Sequence, residues 1–194
     1  DYEKIELADG YLSELSRNGF PELMDLMYEK GHITSDHSLY DSNHVNRMKS
    51  VKPEGLVQTS PMLGDARNKK YSLSSLGEEI YEVVREYRPE IDGFEDVLDC
   101  FRPRKSVDWT EFLFEAEEDD IVMDIVDDVN PSTRRDYIDE ADELGLLESE
   151  KSGGKWSISN VTEKGEAVQE FIEEIGEAVY DELDEQDSSP TWEL

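Results

Sequence analysis

Apolar residues recur along this chain at two spacings, one helical and one alternating, and the switches between them outline its elements. From Glu3 to Arg17, Ile5, Leu7, Tyr11, Leu12 and Leu15 predict a helix that stops at Asn18-Gly19. Phe20 to Lys30 predicts a second, with Pro21 in its first turn, Leu23, Met24, Leu26 and Met27 as a buried stripe and Gly31 at its end. Thr34 or Ser35 can cap a short helix reaching about Tyr40. Asp41 or Ser42 can cap the next, in which Val45 and Met48 lie three apart and face inward. Pro53-Glu54-Gly55 breaks it, and Leu56 to Thr59 predicts a strand. Gly64 and Asp65 form a turn, after which Tyr71 and Leu73 alternate with Ser72 and Ser74 as a returning strand. Ser74 or Ser75 caps a helix over Gly77 to Arg88, with Ser75 and Glu78 at the spacing of a capping box.

Past a junction at 90–106, which carries Phe94, Val97, Leu98 and Phe101, the plan repeats. Trp109 to Ala116 has helical spacing, Ile121 to Val129 is a further apolar segment, and Asn130-Pro131-Ser132 starts a helix with Tyr137, Ile138, Ala141 and Leu144 inside. Gly145-Leu146-Leu147 enters a strand, Ser152-Gly153-Gly154-Lys155 turns, and Trp156 to Ser159 returns. Helices followed by a strand, a basic tip and a second strand predict a winged helix-turn-helix, and the chain reads as two in tandem. The expected fold class is mainly α with small β-hairpins (α+β). Its units are 1–89, with an N-terminal helix and the first winged helix, and 107–185, with the second and a final amphipathic helix. A polar tail at 186–194 is expected to be disordered.

Charge changes this picture most. Lys and Arg number 19 against 50 Asp and Glu, a formal net of −31. Such a balance is a signature of disorder, but the regular apolar periods argue for a folded chain kept soluble in concentrated salt, where repulsion is screened within about 3 Å at 1 M. A halophilic, archaeal cytosol is therefore expected. Residues 1–89 hold 16 acidic and 11 basic side chains, whereas residues 90–194 hold 34 and 8. Within the first half, 31–70 has six basic residues, four acidic ones and all three histidines.

That local balance coincides with a recognisable pattern. Gly55-Leu56-Val57 followed by Asp65-x-Arg67-x-x-x-Tyr71-x-Leu73-Ser74-x-x-Gly77 resembles the wing signature of the MarR family of transcriptional regulators, with Tyr71 and Ser74 where the family usually has Val and Thr. The resemblance implies a wing whose Arg67 enters the minor groove, Asp65 orienting it, and a preceding helix that reads the major groove. Read from the residues, the outward positions of that helix are Asn43, His44, Asn46, Arg47, Lys49 and Ser50, and the basic tip is Arg67, Lys69 and Lys70. Arg134 and Arg135 begin the second reading helix and are a possible secondary DNA contact, although Asp136, Asp139, Glu140, Asp142 and Glu143 beside them repel phosphate. Val168, Phe171, Ile172, Ile175 and Val179 on the last helix can pack on their own domain or pair with a second subunit, and a homodimer is expected.

Other classes find less support. Cys100 stands alone, so an internal disulfide and a cysteine zinc site are both excluded. The spacing of His32, His37 and His44 with Asp36 and Asp41 matches no zinc pattern, so neither metal nor cofactor is expected. There is no G-x-S-x-G, P-loop or dinucleotide-binding glycine pattern, and carboxylates are too common to mark a catalytic pair. No membrane span or signal peptide is read, and a soluble, cytoplasmic, nucleoid-associated protein is expected. The leading expectation is a sequence-specific binder of double-stranded DNA. The rival is a protein-binding scaffold of the kind found in chromosome-condensation complexes, which the acidic second half would suit.

Overall fold

The two alternating stretches become two hairpins, and each hairpin runs directly into a helix. The computed structural model describes the backbone of residues 2–62, 64–102 and 107–188, and the side chains of all of these except 65–68 and 188. In chain order it contains α1 (Tyr2–Leu15), α2 (Phe20–Lys30), β1 (Ile33–Thr34), α3 (Ser42–Ser50), β2 (Val57–Met62), β3 (Asp65–Leu73) and α4 (Ser75–Tyr87). There follow α5 (Phe94–Asp99), α6 (Val107–Glu115), α7 (Val122–Ile125), α8 (Pro131–Glu143), β4 (Leu147–Ser152), β5 (Lys155–Val161) and α9 (Glu163–Ser188). This is a mixed α+β fold with small antiparallel sheets, and none of its described helices is long and apolar enough to cross a membrane.

One expected helix is replaced by a strand and a turn. Ile33 and Thr34 pair antiparallel with β3, opposite Tyr71 and Lys70, giving the sheet order β1-β3-β2. The chain then turns through His37 N donating to the Thr34 carbonyl (3.0 Å) and Tyr40 N to the His37 carbonyl (2.9 Å). Thr34 gives its hydroxyl proton to Asp36 rather than capping a helix. The cause is burial: Ile33 is 2% exposed against the sheet, and that gain outweighs the weak helical preference of a short polar run.

The first hairpin pairs Val57 with Leu73 and Thr59 with Tyr71, with a register shift between Pro61 and Met62. In the second, Leu147 faces Val161, the register shifts between Glu148 and Ser149, and Ile121 adds an isolated bridge to Ser157. The joints to the following helices match almost atom for atom. Ser74 N donates to the Leu56 carbonyl (2.9 Å), its Oγ donates to the Gly55 carbonyl (2.6 Å), and Gly77 N donates back to that Oγ (3.0 Å). Thr162 N donates to the Leu146 carbonyl (3.1 Å), its Oγ1 to the Gly145 carbonyl (2.6 Å), and Gly165 N back to Oγ1 (3.0 Å). Ser74 is thus the cap of α4, while Ser75 turns its hydroxyl toward Glu182 Oε2 (3.5 Å).

Both halves share one core. α9 lies across α1, α4 and α6, and the Phe171 ring meets Tyr87 at 5.6 Å and Phe94 at 5.4 Å. Trp109, fully buried, packs on Tyr137 and donates its indole proton to Cys100 Sγ (3.4 Å), which ties the junction to the second half. Each large apolar side chain so buried is worth about 1.5–3 kcal/mol, so parting the halves would expose apolar surface of both. α9 continues past Glu185, where the tail was expected to begin, and 189–194 lie outside the described residues.

Candidate nucleic-acid interface

α3 owes its orientation to two features of its sequence. Asp41 accepts hydrogen bonds from Asn43 N (2.9 Å) and His44 N (3.2 Å), fixing the first turn, and Val45 and Met48 are wholly buried. Asn43, Asn46, Lys49 and Ser50 consequently face solvent. The far end is anchored to the hairpin, because Leu56 N donates to the Met48 carbonyl at 2.8 Å. The basic positions expected at the hairpin tip lie within β3 instead, because the strand begins at Asp65: Lys69 is exposed opposite Pro61 and Lys70 half-exposed opposite Ser60. The side chains of Asp65 and Arg67, the wing residues of the expected signature, lie outside the described residues.

Three of the expected contacts are engaged within the chain. The His44 ring packs edge-on against Phe20 at 5.3 Å and is half-buried, so it serves the core at least as much as a surface. Ser50 donates its hydroxyl proton to the Asn46 carbonyl (2.8 Å). Arg47 makes a two-pronged contact with Glu14 on α1, Nε to Oε2 at 2.8 Å and Nη2 to Oε1 at 3.3 Å, and the same Oε2 also receives Arg17 Nε at 2.8 Å. With its side chain 48% exposed, Arg47 keeps part of its guanidinium for an outside anion. Glu14 lies 33 residues from Arg47, beyond the reach of any local pattern.

Around this face the carboxylates thin out. Between Ser42 and Gly77 the chain has two acids, Glu54 and Asp65, although acids make up 50 of its 194 residues; the others at this face are Asp41, which caps α3, and Glu14, which holds Arg47. The Glu54 backbone is pinned by Tyr11, whose hydroxyl donates to its carbonyl (2.6 Å) and accepts from its N–H (3.0 Å), and its carboxylate accepts from Gln186 Nε2 (2.9 Å). Carboxylates crowd instead along α4 and α9. There burial, followed by the charges of Glu182, Glu185, Asp181 and Glu82, pushes the Glu79 carboxyl above its ordinary range.

The remaining expected residues fall elsewhere. Arg134 and Arg135 stand in the first turns of α8, where they share a groove with Lys151 and Lys155 from the second hairpin. That convergence, with Trp156 and Met123 beside it, was not readable from the separate segments. Val168, Phe171, Ile172, Ile175 and Val179 are at most 1% exposed and covered by α1, α4 and α6, so this stripe is filled within one chain and offers no face to a second subunit. The alternative of packing on its own domain is also too narrow, since α1 and α4 belong to the other half. His32 is exposed and His37 Nδ1 accepts from Leu39 N (3.1 Å). Among the described residues no three His, Cys, Asp or Glu side chains are grouped to hold a metal ion.

Comparison with protein-family models, with curated proteins and with solved structures returned no match.

Proposed function

We propose that the chain binds double-stranded DNA as a transcriptional regulator, with α3 in the major groove and the β2–β3 hairpin as a wing in the minor groove. The observation that carries this reading is an acid-poor face in a strongly acidic protein: Asn43, Asn46 and Lys49 point outward from α3, next to a hairpin bearing Lys69 and Lys70. Asparagine offers paired donor and acceptor groups to adenine, and lysine offers donors to guanine or phosphate. Each half is read as a winged helix, supported by the recurring order of helix, edge pairing, helix and hairpin, and by the matched Ser74 and Thr162 joints. The likeness of the wing to the MarR signature belongs to the same reading, and Leu73-Ser74-x-x-Gly77 has a structural counterpart in Val161-Thr162-x-x-Gly165.

In concentrated salt the release of counterions contributes little, so hydrogen bonds and groove shape carry the affinity. No second subunit is required by this arrangement, because the apolar stripe of α9 is already covered. The experiment is selection of duplexes from a random pool by the full chain in molar KCl. Enrichment of one short motif supports the reading, and a pool that stays random contradicts it. A protein-binding role is the second reading, and the observation that favours it is the Arg47–Glu14 pair, which withdraws the longest cation of α3 from an incoming phosphate.

A further inference from the structure

The second half gathers its scarce cations in one place. Between the start of α8 and the tip of the β4–β5 hairpin runs a groove of about 370 Å³ whose rim carries Arg134, Arg135, Lys151 and Lys155. These are four of the eight basic residues in 90–194, a segment with 34 acidic ones, and none of the residues lining the groove is acidic. Its floor and walls are apolar. Met123 is 44% exposed there, Trp156 is half-buried with Lys151 Nζ 5.8 Å from its ring centroid, and Ile138 is buried beneath. Arg135 has an acidic neighbour, Asp139, only at 3.9 Å, with both side chains more than half exposed, so the pair is weak.

We propose that this groove docks an acidic peptide segment of a partner protein, through one large apolar side chain seated on Trp156 and Met123 and carboxylates paired with the four cations. Charge complementarity selects the occupant: a site with no acid of its own, in a chain that is otherwise acid-rich, attracts anions locally and repels them everywhere around. The shape of that surrounding charge argues against a duplex. Immediately beyond the groove α8 exposes Asp136, Asp139, Asp142 and Glu143, and β4 exposes Glu148 and Glu150, all of which a DNA backbone passing along the helix would meet. A short segment ending in the groove has only Asp139 of these beside a cation it pairs with, through the weak contact to Arg135. An apolar floor has no use for phosphates, whereas Met, Trp and Arg together are the composition of protein-recognition surfaces. This inference stands apart from the DNA reading, since it uses neither α3 nor the first hairpin.

The test is fluorescence anisotropy of the full chain with a fluorescein-labelled peptide of glutamates around a single phenylalanine. The same peptide with serine in place of the phenylalanine, and an unlabelled mixed-sequence duplex as competitor, complete the set. The phenylalanine peptide is expected to bind, and the serine version to bind about tenfold or more weakly. Because Trp156→Ala can disturb the hairpin, the deciding variants are the surface changes Arg134→Glu and Lys155→Glu, each checked for an unchanged circular dichroism spectrum and each expected to weaken the peptide about tenfold. Lys49→Ala is expected to leave peptide binding as it is, so that failure here and failure of the DNA reading are told apart. Equal binding of the two peptides, indifference to both charge reversals, or displacement of the peptide by the duplex would overturn the proposal.

Discussion

A β-carbon on Gly77 would lie under 3.0 Å from the carbonyl oxygen of Leu56, and one on Gly165 would meet the carbonyl of Leu146 in the same way. At both joints the helix start is pressed against the strand entry, and only glycine fits. Gly77→Ala and Gly165→Ala are each expected to lower stability by about 1–3 kcal/mol, because the obstacle is backbone and cannot swing aside. Urea unfolding in molar KCl measures this. Gly10→Ala, whose β-carbon would meet nothing within 4 Å, is the matched control and is expected to be neutral or stabilising.

Tyr11 is the pin between α1 and the loop that leads into the first hairpin. Tyr11→Phe removes both hydrogen bonds to Glu54 and leaves its N–H and carbonyl unpaired, a loss of about 1–3 kcal/mol. Burial, opposed by the backbone hydrogen bond and aided by the Glu54 charge, pushes the Tyr11 hydroxyl from 10.0 up to about 12. The folded chain therefore holds a proton that the unfolded chain releases, so this contribution is whole below pH 10 and falls as pH rises toward 12. Denaturation followed across that window is expected to show a shallower alkaline decline in Tyr11→Phe. Tyr81, also raised to about 12 by burial and its bond to Asp25, keeps the decline from vanishing.

Asp9 faces the opposite problem. Thr110, fully buried on α6, donates its hydroxyl proton to Asp9 Oδ1 at 2.7 Å, yet burial first and Asp108 second hold the carboxyl above its usual range. The native state thus binds the proton more tightly than the unfolded state, and stability at this site is greatest below the ordinary value of 3.8 and is lost as pH rises through the raised native one. Asp9→Asn is expected to stabilise the protein at neutral pH and to remove this site's gain in stability toward acid pH. Thr110→Val, which strips the half-buried carboxylate of its donor, is expected to cost about 1–3 kcal/mol at neutral pH. Thermal unfolding at acid and neutral pH separates the two outcomes.

Glu14 sets how much of Arg47 reaches an incoming duplex. Glu14→Gln removes a negative charge beside the proposed DNA face and loosens Arg17 and Arg47 together. Affinity for non-specific duplex is expected to rise a few-fold, and the dependence of log K on log salt to steepen by about one unit, as for one added phosphate contact. Titrations over a salt series check this; an unchanged slope would mean that Arg47 faces no phosphate.

Local patterns told the most where local physics decides. The helix of Phe20 to Lys30 with Leu23, Met24 and Met27 buried, the Asp41 cap and the turn at Gly153-Gly154 became what their spacing implied, while Leu26 is half-buried and Asp65, read as part of the first turn, opens β3. The stretch from Thr34 to Tyr40 went otherwise because Ile33 found a strand partner 38 residues later, a pairing no short window contains. Periodicity likewise said that α9 buries Phe171 and Ile175 but not against what, and the answer was α1 and α4 of the other half. The acid-poor stretch around α3 was visible in composition alone. The withdrawal of Arg47 by Glu14 and the meeting of Arg134 with Lys155 needed the chain to be folded first.

Binding of DNA by α3 and the first hairpin is read out most directly by fluorescence anisotropy in molar KCl with a duplex chosen by the chain itself from a random pool. Lys49→Ala and Arg67→Ala are expected to weaken binding by about 1–3 kcal/mol each while the fold persists. Wild-type affinity in both variants, or binding that does not distinguish the chosen duplex from a scrambled one, would contradict it.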